Sequence, residues 1–184
     1  DVDLDGEDEI LYQGNEINAY VDRTGAGVFE LDYLAKKWNY LDTFRRRPEP
    51  FHDEASTTAG YDDWQRSAFV DHLLVPDHEL KEFAGGVRRQ VCELDDVDYD
   101  LVDLDKERST AAFRAVCRTD DGLGEVEIGK TYRFVKNRVE LDYTLTNNGM
   151  ETLAFDLAVE INLSFYSLDA GKLRIHVRQG RRRR

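Results

Sequence analysis

Apolar and polar residues alternate with a period of two through most of the second half of this chain. Val126, Ile128, Tyr132 and Phe134 alternate with Glu127, Gly129, Thr131 and Arg133. Val139, Leu141, Tyr143 and Leu145 repeat the rhythm against Glu140, Asp142, Thr144 and Thr146. That period puts one set of side chains on each face of a half-buried strand. Asn147-Asn148-Gly149 follow, residues that tolerate positive φ, and they predict a hairpin turn. Leu153, Phe155, Leu157, Val159, Ile161, Leu163 and Phe165 then continue the alternation over one long predicted strand. A helix would scatter the same residues around its circumference.

The first half has a shorter rhythm. Ile17, Ala19 and Val21, a turn over Arg23–Gly27, and Phe29, Leu31 and Tyr33 predict another hairpin. Residues 45–61 carry Pro48, Pro50 and Ser56-Thr57-Thr58, a composition that opposes regular structure. Ala68–Leu74, Arg88–Leu94, Asp100–Leu104 and Ala111–Arg118 read as further strands. Pro76–Phe83 reads as a turn or two of helix, with proline at its start and Gly85-Gly86 at its end. About ten short strands with little helix imply an all-β fold, a large antiparallel β-sandwich. No internal repeat or interior linker divides it, so residues 1–184 are expected to form a single domain, with a disordered basic tail from about residue 177.

Charge sharpens this picture. The chain of 184 residues carries a net charge of −13, with 34% of its residues charged. From Lys172 to Arg184 there are seven basic residues and no acid, so residues 1–171 hold 18 basic against 38 acidic residues, or −20. A body that acidic repels phosphate backbones, which argues against nucleic acid as a partner. No segment approaches the about 18 consecutive apolar residues of a membrane span, so no membrane partner is expected. The absence of a signal peptide at the start makes the cytoplasm the expected location. The absent initiator methionine and the acidic loop at the first residue suggest a piece of a longer chain. Cys92 and Cys117 both sit in strand-like runs and are expected to be buried free thiols.

The opening, Asp1-Val-Asp3-Leu-Asp5-Gly6-Glu7-Asp8-Glu9, has carboxylates at alternate positions and a glycine at the sixth. Alternate side chains converge on one point and Gly6 permits a sharp turn, an arrangement suited to a hard cation. Calcium takes oxygen ligands, and Asp1, Asp3, Asp5 and Glu9 with the carbonyl of Glu7 are the candidate set. Tyr12 stands where a helical EF-hand needs a bidentate glutamate, so the expectation is a strand-linked calcium loop, against the simpler reading of an acidic turn.

Several stretches carry a family resemblance. Phe29-Glu30-Leu31-Asp32-Tyr33 is followed by Trp38-Asn39-Tyr40-Leu41-Asp42-Thr43-Phe44-Arg45-Arg46 and then His52. Asp3–Glu9 through Asn15–Tyr20 forms the entry. Lys130-Thr131-Tyr132 and Phe155–Ser164 lie downstream. In this order they resemble the C-terminal β-sandwich of glycoside hydrolase family 57, the α-amylases and 4-α-glucanotransferases. The resemblance implies a sandwich similar to that of galactose mutarotases. It also implies a parent enzyme that cleaves or transfers α-1,4-glucan through a carboxylate nucleophile and a carboxylic acid/base. Both catalytic residues would lie in a preceding barrel, so no catalytic residue is expected in this chain. Two departures stand out. Arg47-Pro48-Glu49-Pro50-Phe51-His52 carries two prolines where the family runs basic residue, Glu, aromatic, His, and the chain ends where the family continues through further strands.

The implied partners are therefore the missing N-terminal catalytic domain and an α-glucan or maltooligosaccharide. Trp38, Tyr40, His52 and Trp64 are the candidate carbohydrate contacts, the aromatic rings because a flat apolar face with a polar rim suits a sugar. Packing is the competing role for each. Arg45 and Arg46 suit carboxylates of the catalytic domain. Two other functions compete: a free-standing carbohydrate-binding module, and an aldose-epimerase-like enzyme in which His52 works beside a carboxylate such as Glu160. Asp71-His72 reads as an ordinary satisfied polar pair on a strand. No Cys/His cluster suggests zinc, and the glycine pairs are turns rather than phosphate loops.

Overall fold

In the computed structural model, residues 2, 6–43, 62, 66–94, 97–119, 122–165 and 167 are described. Among them are eleven strands and one short helix. In chain order these are β1 (Ile10–Gln13), β2 (Ile17–Val21), β3 (Val28–Tyr33), β4 (Trp38–Asn39), β5 (Ala68–Leu74), α1 (Leu80–Ala84), β6 (Gln90–Cys92), β7 (Asp100–Asp105), β8 (Thr110–Arg118), β9 (Glu125–Val135), β10 (Arg138–Asn147) and β11 (Asp156–Ile161).

They form two antiparallel sheets. The larger runs β1-β2-β3-β5-β11, with β4 beside β3 and β6 beside β5; the smaller runs β10-β9-β8-β7. The alternation predicts the packing directly. Val126, Ile128, Tyr132 and Phe134 of β9 are buried, as are Ala111, Phe113, Ala115 and Cys117 of β8. From the other sheet Ile17, Ala19, Val21, Val28 and Leu73 face them. Stacked rings of Tyr12 and Phe134, with centroids 4.9 Å apart, join the sheets near one edge. The all-β sandwich stands.

Several local expectations need correction. Asn147-Asn148-Gly149 turns the chain without making a hairpin, because β10 is followed by β11 in the opposite sheet. The Asn147 amide accepts the Gly149 N–H at 2.9 Å and donates to the Glu151 carbonyl at 2.8 Å. Asn148 and Gly149 donate their N–H groups to the Glu125 carbonyl, which folds the turn over the start of β9 and sends the chain across the sandwich. The hairpin turn in this region is instead at Lys136 (φ 52°), between β9 and β10. The long strand expected over 153–165 is only Asp156–Ile161, since its partner β5 offers Ala68–Leu74 and the register breaks at Glu160/Ile161.

Cys92 and Cys117 are not free thiols. They form a disulfide with Cα atoms 6.1 Å apart. Strand-like surroundings disclose burial but not which sheet each strand joins. Here β6 belongs to the larger sheet and β8 to the smaller, so the bond staples one to the other. Among the described residues, no helix is long and apolar enough to cross a membrane.

Candidate functional site

β5 supplies polar groups to both faces of the larger sheet. Asp71 points between the sheets and is 2% exposed; His72 points outward and is covered. A bulge lies between them and the start of the strand: Ala68 pairs with Ile161 and Val70 with Glu160, so Phe69 has no partner. Phe69 adopts φ 66°, a left-handed conformation that is strained for a bulky residue.

That strain is held by a buried lysine. Lys130, fully buried on β9, places Nζ 2.6 Å from Asp71 Oδ2 and donates to the carbonyls of Phe69 (2.8 Å) and Gly25 (2.7 Å). Gly25 and Ala26 both have positive φ in the β2–β3 turn. Tyr132 donates its hydroxyl to the Ala26 carbonyl at 2.6 Å. Asp71 accepts further hydrogen bonds from the hydroxyls of Tyr143 (2.6 Å) and Tyr99 (3.3 Å). Burial lowers the Lys130 ammonium below its ordinary pKa, and the Asp71 carboxylate opposes that shift. Burial, then the Asp71 charge, raises the Tyr99 and Tyr143 phenols above theirs. Every charge is matched and the interior is closed, which makes this a structural centre rather than a catalytic one. Its signal in the sequence is position 130, the polar interruption in the inward row Val126, Ile128, Tyr132, Phe134.

On the outer face, His72 Nε2 lies 3.1 Å from Glu160 Oε2. Asn162 donates to Glu160 Oε1 at 2.9 Å and to the Ser67 carbonyl at 3.1 Å. Phe83 of α1 caps the imidazole edge-on, with centroids 5.1 Å apart. The sequence paired Glu160 with His52; the structure sets it against His72, and His52 lies outside the described residues. A fully buried imidazole has no reach to a substrate, so this pair serves to hold β11 on β5.

The larger sheet's outer face over β1–β3 carries partly exposed side chains. Ile17, Ala19 and Val21 face inward, so Asn18 and Tyr20 face outward. Register aligns Leu11 with Tyr20 and Glu30, and Gln13 with Asn18 and Asp32. A second bulge, at Tyr20/Val21, leaves Phe29 unpaired, with its ring 6.0 Å from that of Tyr20. Gln13 donates to the Tyr20 hydroxyl at 3.3 Å and Asn18 to Asp32 Oδ2 at 3.2 Å. Partial burial raises the Glu30 carboxyl above its ordinary pKa, and Asp32 and Asp42 raise it further.

Of the residues singled out in the sequence for carbohydrate, Trp38 and Tyr40 are described, and both meet the segment that follows β11. Trp38 donates its indole N–H to the Ser164 carbonyl at 3.0 Å, tying β4 to the segment after β11. Tyr40 sets its ring 6.4 Å from Phe165 and lines a cleft of about 410 Å³ with Tyr33, Phe69 and Leu163. His52 and Trp64 lie outside the described residues, as do Arg45 and Arg46. Of the acidic loop, Asp1, Asp3 and Asp5 are likewise outside. Glu7 accepts from Arg23 Nη1 at 2.9 Å, Glu9 accepts the Val2 N–H at 2.9 Å, and Gly6 has φ 98°. Among the described residues, no three His, Cys, Asp or Glu side chains gather as a metal site.

Comparison with known proteins converges on one family. The family described as Alpha-amylase/4-alpha-glucanotransferase, C-terminal, matches residues 1–60 and 54–183. An α-amylase of Pyrococcus horikoshii is 29% identical over 171 residues, covering 89% of this chain and 26% of that protein. An α-amylase of Pyrococcus furiosus is 24% identical, covering 91% and 28%. The chain thus spans about a quarter of the length of these relatives. The crystal structure of 4-α-glucanotransferase from Thermococcus litoralis superposes with a TM-score of 0.78 at 21% identity, over 89% of this chain and 26% of that one. A galactose mutarotase-like protein from Lactobacillus casei superposes at 0.52 and 17% identity, over 82% and 48%. These two likenesses speak to the fold.

Proposed function

Because the chain belongs to the C-terminal domain family of α-amylases and 4-α-glucanotransferases, we propose that it is the accessory β-sandwich of an α-1,4-glucan-processing enzyme, packing on that enzyme's catalytic barrel. The observation that supports this most is the family match along nearly the whole chain, in order, set against a coverage of only about a quarter of each relative. The polar centres agree with a non-catalytic role. Asp71–Lys130 is closed off, and His72–Glu160 is spent on strand pairing and capped by Phe83.

The acidic loop enters the proposal as a calcium clasp at the junction with the barrel. Glu9 holds the N–H of Val2, which brings the two ends of the loop together. Arg23 donates to the Glu7 carboxylate and so ties the loop to the β2–β3 turn.

The experiment is an assay of maltooligosaccharide hydrolysis and transfer. The chain alone is expected to release and transfer nothing, and the catalytic barrel joined to it is expected to do both or one. Turnover by the purified chain alone would overturn the assignment.

A further inference from the structure

We propose that the outer face of β1–β3 is a saccharide-binding platform, with Tyr20 and Phe29 as its stacking surface and Gln13, Asn18, Glu30 and Asp32 as its hydroxyl-binding groups. The proposal rests on the glucan-processing reading above and names where the domain touches the polymer.

The register makes the platform. Leu11, Tyr20 and Glu30 form one cross-strand row and Gln13, Asn18 and Asp32 the next. Residues two apart on a strand are separated by about 7 Å, so the apolar-aromatic row and the polar row can serve one sugar ring together. A pyranose has an apolar face edged by hydroxyls. It is recognised by an aromatic ring beneath and by carboxylates and amides at the side.

The bulge at Tyr20/Val21 is what supplies the second ring. An unbroken β2–β3 ladder would alternate Phe29 to the face opposite Glu30. The extra residue instead frees Phe29 from the ladder and places its ring beside Tyr20 at 58°. The polar row is prearranged, because Asn18 holds Asp32 and Gln13 holds the Tyr20 hydroxyl. Glu30 ends the first row, and its carboxyl, shifted upward by partial burial and by Asp32 and Asp42, shares a hydrogen bond with Asp32 at the end of the second. Tyr20, Phe29, Glu30 and Asp32 are each only partly buried, so a ligand can reach them. Trp38, by contrast, has its indole N–H committed to Ser164.

The test is calorimetric titration of the whole chain with maltoheptaose. Saturable heat is expected. Tyr20→Ala should weaken binding about tenfold, which corresponds to about 1.4 kcal/mol of lost stacking. Tyr20→Phe should keep most of the affinity, because the ring is retained. Asp32→Asn should weaken binding, and Thr144→Ala on the outer face of the other sheet should not change it. Melting curves of each variant confirm that it is folded. No saturable heat with the native chain overturns the platform, as does heat that Tyr20→Ala leaves intact. Neither result touches the accessory-domain reading, which stands or falls on contact with the barrel.

Discussion

Lys130 of the smaller sheet lies 2.6 Å from Asp71 of the larger, and neither side chain is more than 1% exposed. The two sheets are thus joined by a charge pair where a sandwich ordinarily relies on apolar contact alone. The same ammonium donates hydrogen bonds to the carbonyls of a left-handed turn (Gly25) and of a strained bulge (Phe69). Removing it would leave a buried carboxylate and two backbone acceptors without their cation. Lys130→Ala is therefore expected to lower unfolding free energy by about 3–5 kcal/mol, and Asp71→Asn by less, since the amide keeps an acceptor for the ammonium. Urea unfolding checks both. A loss under about 1 kcal/mol for Lys130→Ala would show that the network contributes little.

The phenols around that pair predict alkaline lability. Tyr99, Tyr132 and Tyr143 all have folded-state pKa values raised above the ordinary 10.0, first by burial and then by the Asp71 charge. A group whose pKa is raised on folding contributes stability in full below its unfolded pKa and loses it as pH climbs above that value. The lowered Lys130 acts in the opposite sense, but one amine faces three phenols. Stability should fall above about pH 10. Tyr143→Phe should make that decline shallower, as melting temperatures measured from pH 8 to 11 would reveal.

The Cys92–Cys117 bond joins residues with a sequence separation of 25 and links the two sheets. Its removal in a Cys92→Ser/Cys117→Ser double variant is expected to cost about 2–4 kcal/mol. Denaturant melts of this variant and of the native chain in reductant should agree with each other, and both should fall below the native chain without reductant. Equal stability in all three would mean that the staple adds nothing beyond the packing around it.

Saturating calcium is expected to raise the melting temperature of the chain relative to chelator, because a cation that binds only the folded loop stabilises it by mass action. Asp5→Asn together with Glu9→Gln should abolish the difference. Identical melting temperatures in calcium and in chelator would reduce the opening to an acidic turn.

Strand positions and their inward faces were legible in the sequence where one face of a strand is buried, as in β2 and β9, because period-two alternation is the direct trace of that burial. What escaped were properties of the pairing between distant segments. Asn147-Asn148-Gly149 has the residues of a hairpin, yet the contact with Glu125 that redirects it is made across the sheet. The cysteines were legible as buried, while their bond depends on β6 and β8 lying opposite one another. The burial of Lys130 was not legible, because a charged residue in an inward row runs against the alternation around it. The Tyr20–Phe29 platform depends on a bulge that no local signal marks, whereas Trp38, Tyr40, His52 and Trp64 stand out by residue type alone.

The accessory role proposed above requires this sandwich to seat against a catalytic barrel. Sedimentation of the purified chain mixed with the parent enzyme's barrel, in calcium, tests it most directly. A stoichiometric complex that also raises the barrel's melting temperature is the predicted result. Two species sedimenting independently, with the barrel equally stable and active in the absence of the chain, would contradict it.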